Sequence, residues 1–101
     1  MRMTDAMQIH LNTLLAELGG DVEAISAELE RREIRGIPGA PDSCPIARYL
    51  KTRDVRVTFV SGMRITVQDD DYDTPRAVAN FVRDFDFDPD AFSALVDTVE
   101  V

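Results

Sequence analysis

Three kinds of residue in this chain could do chemistry: a single cysteine, a single histidine and two runs of aspartate. Cys44 stands directly before Pro45 in the segment RGIPGAPDSCPIARYL. Proline is pre-organised for the first turn of a helix, so the cysteine is predicted at a helix N-terminus, where the helix dipole lowers thiol pKa values. A thiol activated in that way, followed by Arg48 and Tyr49, would serve a small thiol-dependent enzyme or a redox sensor. Nucleophilic catalysis also needs a base. The only histidine, His10, falls on the first helix beside the Leu11 stripe, and nothing in the spacing brings it to Cys44. The loop before Cys44 carries neither G-x-x-x-x-G-K-[ST] nor G-x-G-x-x-G, so it signals no nucleotide cradle. Cysteine is among the most buried residue types, and a packed, structural Cys44 is the expectation.

The aspartates are Asp69, Asp70, Asp71 and Asp73, then Asp84, Asp86, Asp88 and Asp90. Calcium loops can be tested by spacing. Counted from Asp69, the position that needs glycine falls on Thr74 and the position that needs glutamate falls on Asn80; counted from Asp84 they fall on Pro89 and Leu95. Neither register works. One histidine and one cysteine cannot complete a zinc site, so neither metal nor cofactor is expected. Acid–base catalysis by carboxylates needs two of them pushed apart in pKa inside a cleft, whereas both runs read as solvated. Asp69–Asp73 is predicted to be a polar loop ending in a helix cap. Asp84–Asp90 is predicted to be a turn whose phenylalanines point inward. No catalytic residue is assigned.

The net charge of −8 on 101 residues is unevenly placed. Residues 1–65 carry nine acidic and nine basic groups, while the remaining third carries ten acidic groups against Arg76 and Arg83 alone. Such a balance repels phosphate backbones, which argues against nucleic-acid binding. It suits a surface for a protein with a basic face, with homo-oligomerisation as the other expected partnership. At 45% apolar and 30% charged residues the composition is that of a globular protein of one domain, spanning 1–101. No apolar run approaches the roughly 20 residues of a membrane span, and Asp5 precedes the first apolar stretch, unlike a signal peptide. One cysteine makes no internal disulfide. A cytoplasmic setting is the expectation.

Apolar spacing assigns the elements that must position these residues. Met7, Leu11, Leu14, Leu15 and Leu18 form a helical stripe capped at Thr4 and ended by Gly19-Gly20. Val22, Ile25 and Leu29 form a second stripe capped by Asp21 and stopped at Gly36. A short helix follows over Pro45–Leu50. Val55, Val57 and Phe59, then Met63, Ile65 and Val67, alternate as two strands of a hairpin. A three-residue loop, Val60-Ser61-Gly62, would oppose Phe59 to Met63 and Val57 to Ile65, with Arg56, Thr58, Arg64 and Thr66 on the other face. Thr74-Pro75 starts a helix through about Asp84 with Val78, Phe81, Val82 and Phe85 inward, and Asp88-Pro89 caps a last short one. The expected fold class is α+β: helical hairpin, short helix, antiparallel β-hairpin and two C-terminal helices around one core.

Leu18, Gly19 and Ile25 also match a DNA-binding helix-turn-helix. However, Leu15 stands where alanine is preferred, and the second helix carries Asp21, Glu23, Glu28 and Glu30 toward any phosphate. An ordinary helical hairpin is expected.

Arg35–Leu50, the Val55–Val67 hairpin and the P-x-x-V-x-x-F-V-x-x-F-D stretch from Pro75 to Asp86 together resemble a set of small proteins of actinobacteria and their phages that share a C-P-[IL]-A-x-Y-L segment. The ten arginines against Lys51 alone agree with a high-GC genome. The resemblance brings no activity or catalytic residue with it. It implies an architectural role for Gly36, Gly39, Cys44, Pro45 and Tyr49. The expectation is a small acidic cytoplasmic binding or regulatory protein acting through protein–protein contacts, not an enzyme. A thiol-dependent function at Cys44 and a DNA-binding regulator are the alternatives.

Overall fold

The computed structural model describes residues 3–97, with side chains from residue 5 onward. Helix α1 (Met3–Ala16) buries Leu11, Leu14 and Leu15, and Leu18 is buried just past its end. The Thr4 cap lies outside the described side chains. Gly19 turns the chain at φ +143°, and a Cβ there would meet the Ala24 Cβ at 2.5 Å. Helix α2 (Val22–Arg31) is capped as expected, with the Ala24 N–H donating to Asp21 Oδ1 at 2.7 Å.

Gly36 does not stop α2. The helix ends five residues earlier in a Schellman closure: Ile34 N–H donates to Leu29 O, Glu33 N–H donates to Glu30 O, and Glu33 sits left-handed at φ +58°. Helix α3 (Pro45–Thr52) runs two residues beyond Leu50 and closes the same way, with Val55 N–H on Leu50 O, Asp54 N–H on Lys51 O, and Asp54 at φ +63°.

The sheet has three antiparallel strands in the order β1 (Val57–Val60), β2 (Arg64–Val67), β3 (Asp70–Asp73). Its register departs from expectation. Val60 pairs with Ile65, Phe59 with Thr66 and Val57 with Val67, across a bulge at Thr58. Two local causes are visible. The bulge lets Val57 and Val60, three residues apart, both face the core. Ser61 then locks a tight Gly62-Met63 turn, its Oγ accepting from Met63 N–H at 3.2 Å and Arg64 N–H at 3.1 Å. Arg56, Thr58 and Arg64 are exposed and Thr66 is half-buried, on the expected outer face. Met63, predicted inward, is 87% exposed.

Strand β3 replaces the predicted polar loop. Asp69 falls in the β2–β3 turn, while Asp70, Asp71 and Asp73 flank the buried Tyr72, which pairs with Ile65. The edge is covered by α1: Gln8 Nε2 donates to Asp73 O at 3.0 Å and Gln8 Oε1 accepts from Asp73 N–H at 2.8 Å. Thr74 caps nothing; its hydroxyl donates to Ser61 O at 3.0 Å. Helix α4 (Arg76–Phe87) runs three residues past Asp84, burying Val78, Phe81, Val82 and Phe85. A 3₁₀ segment (Pro89–Leu95) follows, kinked at Phe92, and Asp88 makes no side-chain cap to it. One apolar cluster extends from Leu11 to Leu95, joining the helices to the sheet. The architecture is α+β, with the hairpin extended to three strands.

Candidate functional site

The loop that introduced the chemistry is built around Gly36. Its N–H donates to Leu95 O at 2.8 Å and its carbonyl accepts from Asp97 N–H at 2.8 Å, a two-residue parallel bridge to the end of the described chain. A Cβ on Gly36 would lie 2.2 Å from Pro45 N and 2.5 Å from the Cys44 carbonyl carbon. Arg48 clamps the same junction, donating from Nη1 to Arg35 O at 3.1 Å and to Asp97 Oδ2 at 2.6 Å. Gly39 turns left-handed at φ +73° and donates its N–H to Asp86 Oδ1 at 2.9 Å.

Cys44 occupies the N-cap of α3, as its position before Pro45 predicted. It is 3% exposed, and its Sγ accepts from Ala47 N–H at 3.4 Å. Burial pushes the thiol pKa up, against a weaker pull from the Ala47 and Ile46 amides. The helix start therefore does not activate it. Tyr49 is fully buried with its hydroxyl donating to Leu14 O at 2.8 Å, and burial raises its pKa too. Arg53 joins that hydroxyl at 3.2 Å and pairs with Glu17 at 2.6 Å, which lowers the Glu17 pKa. These contacts stitch α3 to α1.

His10 is exposed on α1 beside a groove of about 440 Å³ that Arg56 and Tyr72 also line. Cys44 does not reach that groove. Among the described residues, no three of His, Cys, Asp and Glu come together as a metal-binding set.

The two aspartate runs occupy separate places. Asp69, Asp70, Asp71 and Asp73 belong to the sheet edge, with Asp71 Oδ1 accepting from the Thr66 hydroxyl at 2.6 Å. Asp84, Asp86, Asp88 and Asp90 surround the far end of α4, about 12 Å or more along the helix from its start at 1.5 Å per residue. All eight are exposed.

Phe87 sits in the middle of that second run, and it is 89% exposed. Phe85 turns inward as predicted and packs with Phe81 at a ring distance of 5.8 Å, and the half-buried Phe92 joins them at 5.6 Å from Phe81. Phe87 does not. It borders two grooves. One, about 550 Å³, lies between α4 and the β1–β2 turn and is lined by Val60, Met63, Ala79, Val82, Arg83 and Asp86. The other, about 290 Å³, has Asp84, Asp88 and Phe92 in its wall. The exposure of Phe87 was within reach of the sequence: at 100° per residue it lies about 200° from Phe85, off the buried stripe, once the helix is extended past Asp84.

No helix among the described residues is long and apolar enough to cross a membrane. Neither models of known protein families, nor curated proteins, nor solved structures give a match to this chain.

Proposed function

We propose that this is a binding or regulatory protein that works through protein–protein contacts, with the aspartate-rich end of α4 as its working face and a basic surface on its partner. Phe87 carries the proposal. An aromatic ring left in water forgoes on the order of 2 kcal/mol of burial, and Phe87 shares one groove with the exposed Met63, so the two form an apolar patch rimmed by charge, the mark of an interaction site. Here the surround is four exposed carboxylates, and Arg83 beside them is tied to Asn80 at 2.8 Å. The carboxylates steer a basic partner inward, and the ring holds it once water is excluded. Homo-oligomerisation through the same face would oppose like charges, so a different protein is the preferred partner. Asp69, Asp70, Asp71 and Asp73 extend the negative field without sharing the aromatic anchor.

The test is affinity capture from a cell lysate at low salt with the wild type and with Asp84, Asp86, Asp88 and Asp90 all changed to Asn. A specific partner should be held by the first and lost by the second, and its association rate should fall steeply as salt is raised. A partner retained equally by both, at every salt concentration, would overturn the assignment of this face.

A further inference from the structure

Resting on that proposal, we infer that the groove between α4 and the β1–β2 turn receives an apolar side chain from a short partner segment that carries Lys or Arg on either side. Three separated parts of the chain make this groove: Pro41 from the glycine-proline loop, Val60 to Met63 from the hairpin, and Ala79 to Phe87 from α4. Val60 and Val82 are buried, whereas Met63 and Phe87 stand 87% and 89% exposed along the same groove. Exposed apolar side chains scattered singly need no explanation; two flanking one apolar recess form a patch. The hairpin turn is held there by its own polar contacts. Ser61 binds Met63 N–H and Arg64 N–H, and Thr74 reaches Ser61 O. Gly62 lies close enough to α4 that a Cβ would contact Ala79 O at 3.6 Å. The recess is thus preformed, which limits the ordering cost of binding. Methionine adds an adaptable wall, its thioether and three rotors fitting varied apolar guests.

Charge selects the occupant. Arg83 and Asp86 both line the groove; Arg83 is turned to Asn80 Oδ1 at 2.8 Å, Asp86 is fixed by Gly39 N–H on Oδ1, and Asp84 and Asp88 stand on the other side of Phe87. A second copy of this chain would bring the same carboxylates to face them, and a nucleic acid would bring phosphates. A segment alternating cationic and apolar residues places its charges on the aspartates and its apolar group between Met63 and Phe87.

The experiment is an amide NMR titration of the whole chain with a synthetic peptide of leucines flanked by lysines. The control peptides carry serine for leucine in one case and glutamate for lysine in the other. Shifts are expected on Val60–Met63 and Ala79–Asp88, with binding roughly tenfold weaker for the serine peptide, as for the loss of an interface anchor, and none for the glutamate peptide. Phe87→Ser and Met63→Ser should each weaken the leucine peptide several-fold while leaving the melting temperature unchanged, because both side chains are exposed. Shifts confined to β3 or to the His10 groove would overturn the inference, and so would equal binding of the leucine and serine peptides. Sedimentation showing a dimer that Phe87→Ser dissolves would assign the groove to a second copy instead. Binding lost in the four-Asn protein but untouched by Phe87→Ser and Met63→Ser would leave the acidic face standing and remove the groove. Binding untouched by all of them would remove both.

Discussion

At the scale of single residues, two glycines of one loop do different work. Gly39 is needed for its conformation, φ +73°, and an added Cβ there would meet open space. Gly36 is needed for its missing side chain, since Pro45 N and the Cys44 carbonyl carbon already occupy the position. Those neighbours are backbone and cannot swing aside. Gly39→Ala should therefore cost about 1–2 kcal/mol, the left-handed penalty of an L-residue. Gly36→Ala should cost about 3 kcal/mol, at the upper end of overpacking, and lose the Leu95 and Asp97 bonds with it. Urea unfolding of the two variants separates these mechanisms. If Gly36→Ala is the milder of the two, the close approach of the loop to Pro45 is wrong. Cys44 belongs to the same junction: its thiol caps α3 from a buried site, and its contribution is packing and one weak hydrogen bond.

At the scale of elements, α2 and α3 end in the same device, and neither uses the glycine that suits it. Glu33 and Asp54 hold the left-handed position of the two Schellman closures. Because glycine enters that region without the Cβ penalty, Glu33→Gly should stabilise the protein by up to about 1 kcal/mol, partly offset by the extra freedom of glycine in the unfolded chain. For a domain of this size that is a rise of several degrees in Tm, roughly 4–8 °C at the most. A fall in Tm would mean that the Glu33 side chain contributes more than its backbone costs. The helices themselves were legible because three of them repeat apolar residues at helical spacing over two turns or more, and α3 announces itself by Pro45 in its first turn. Strand β3 was not, because DDYD offers one apolar residue among three aspartates, and alternation cannot be read from a single buried Tyr72. The hairpin register was hidden for a related reason. The bulge at Thr58 breaks the period of two, and the Ser61 hydroxyl, not a glycine loop, sets the turn. The candidate face is half legible: composition locates the aspartates, but the exposure of Phe87 depends on how far α4 extends past Asp84 and that of Met63 on the hairpin register.

At the scale of the whole molecule, the charge is divided by sign and by use. In the N-terminal two thirds two acids are held in ion pairs among the described residues: Glu28 with Arg31 and Arg32, Glu17 with Arg53. The arginine hydrogen bonds bring the Glu28 pKa down to about 2 from its ordinary 4.5. A carboxylate depressed in the folded state stabilises it above its unfolded pKa, and that contribution disappears as pH falls through the folded value. Between pH 4.5 and about 2 the Tm should therefore drop, and Glu28→Gln should show a shallower drop over the same window. Equal slopes for the two proteins would show that the ion pairs do not persist in solution. The aspartates of the last third have few such partners, so their charge remains available to whatever approaches.

The bridge at Gly36 also orders events in time. A ribosome adding about 5–20 residues per second takes several seconds to make the roughly sixty residues between Gly36 and Asp97. Throughout that interval the loop has its far anchor missing, its amide and carbonyl still bound to water, and the seat of α3 unfinished. The helical hairpin and the sheet can form from contacts already synthesised, but the glycine-proline loop cannot close until the last described residues arrive. The loop is fastened by residues made roughly sixty positions after it, and a nascent protein halted before Leu95 should expose this loop to proteases that the finished one resists.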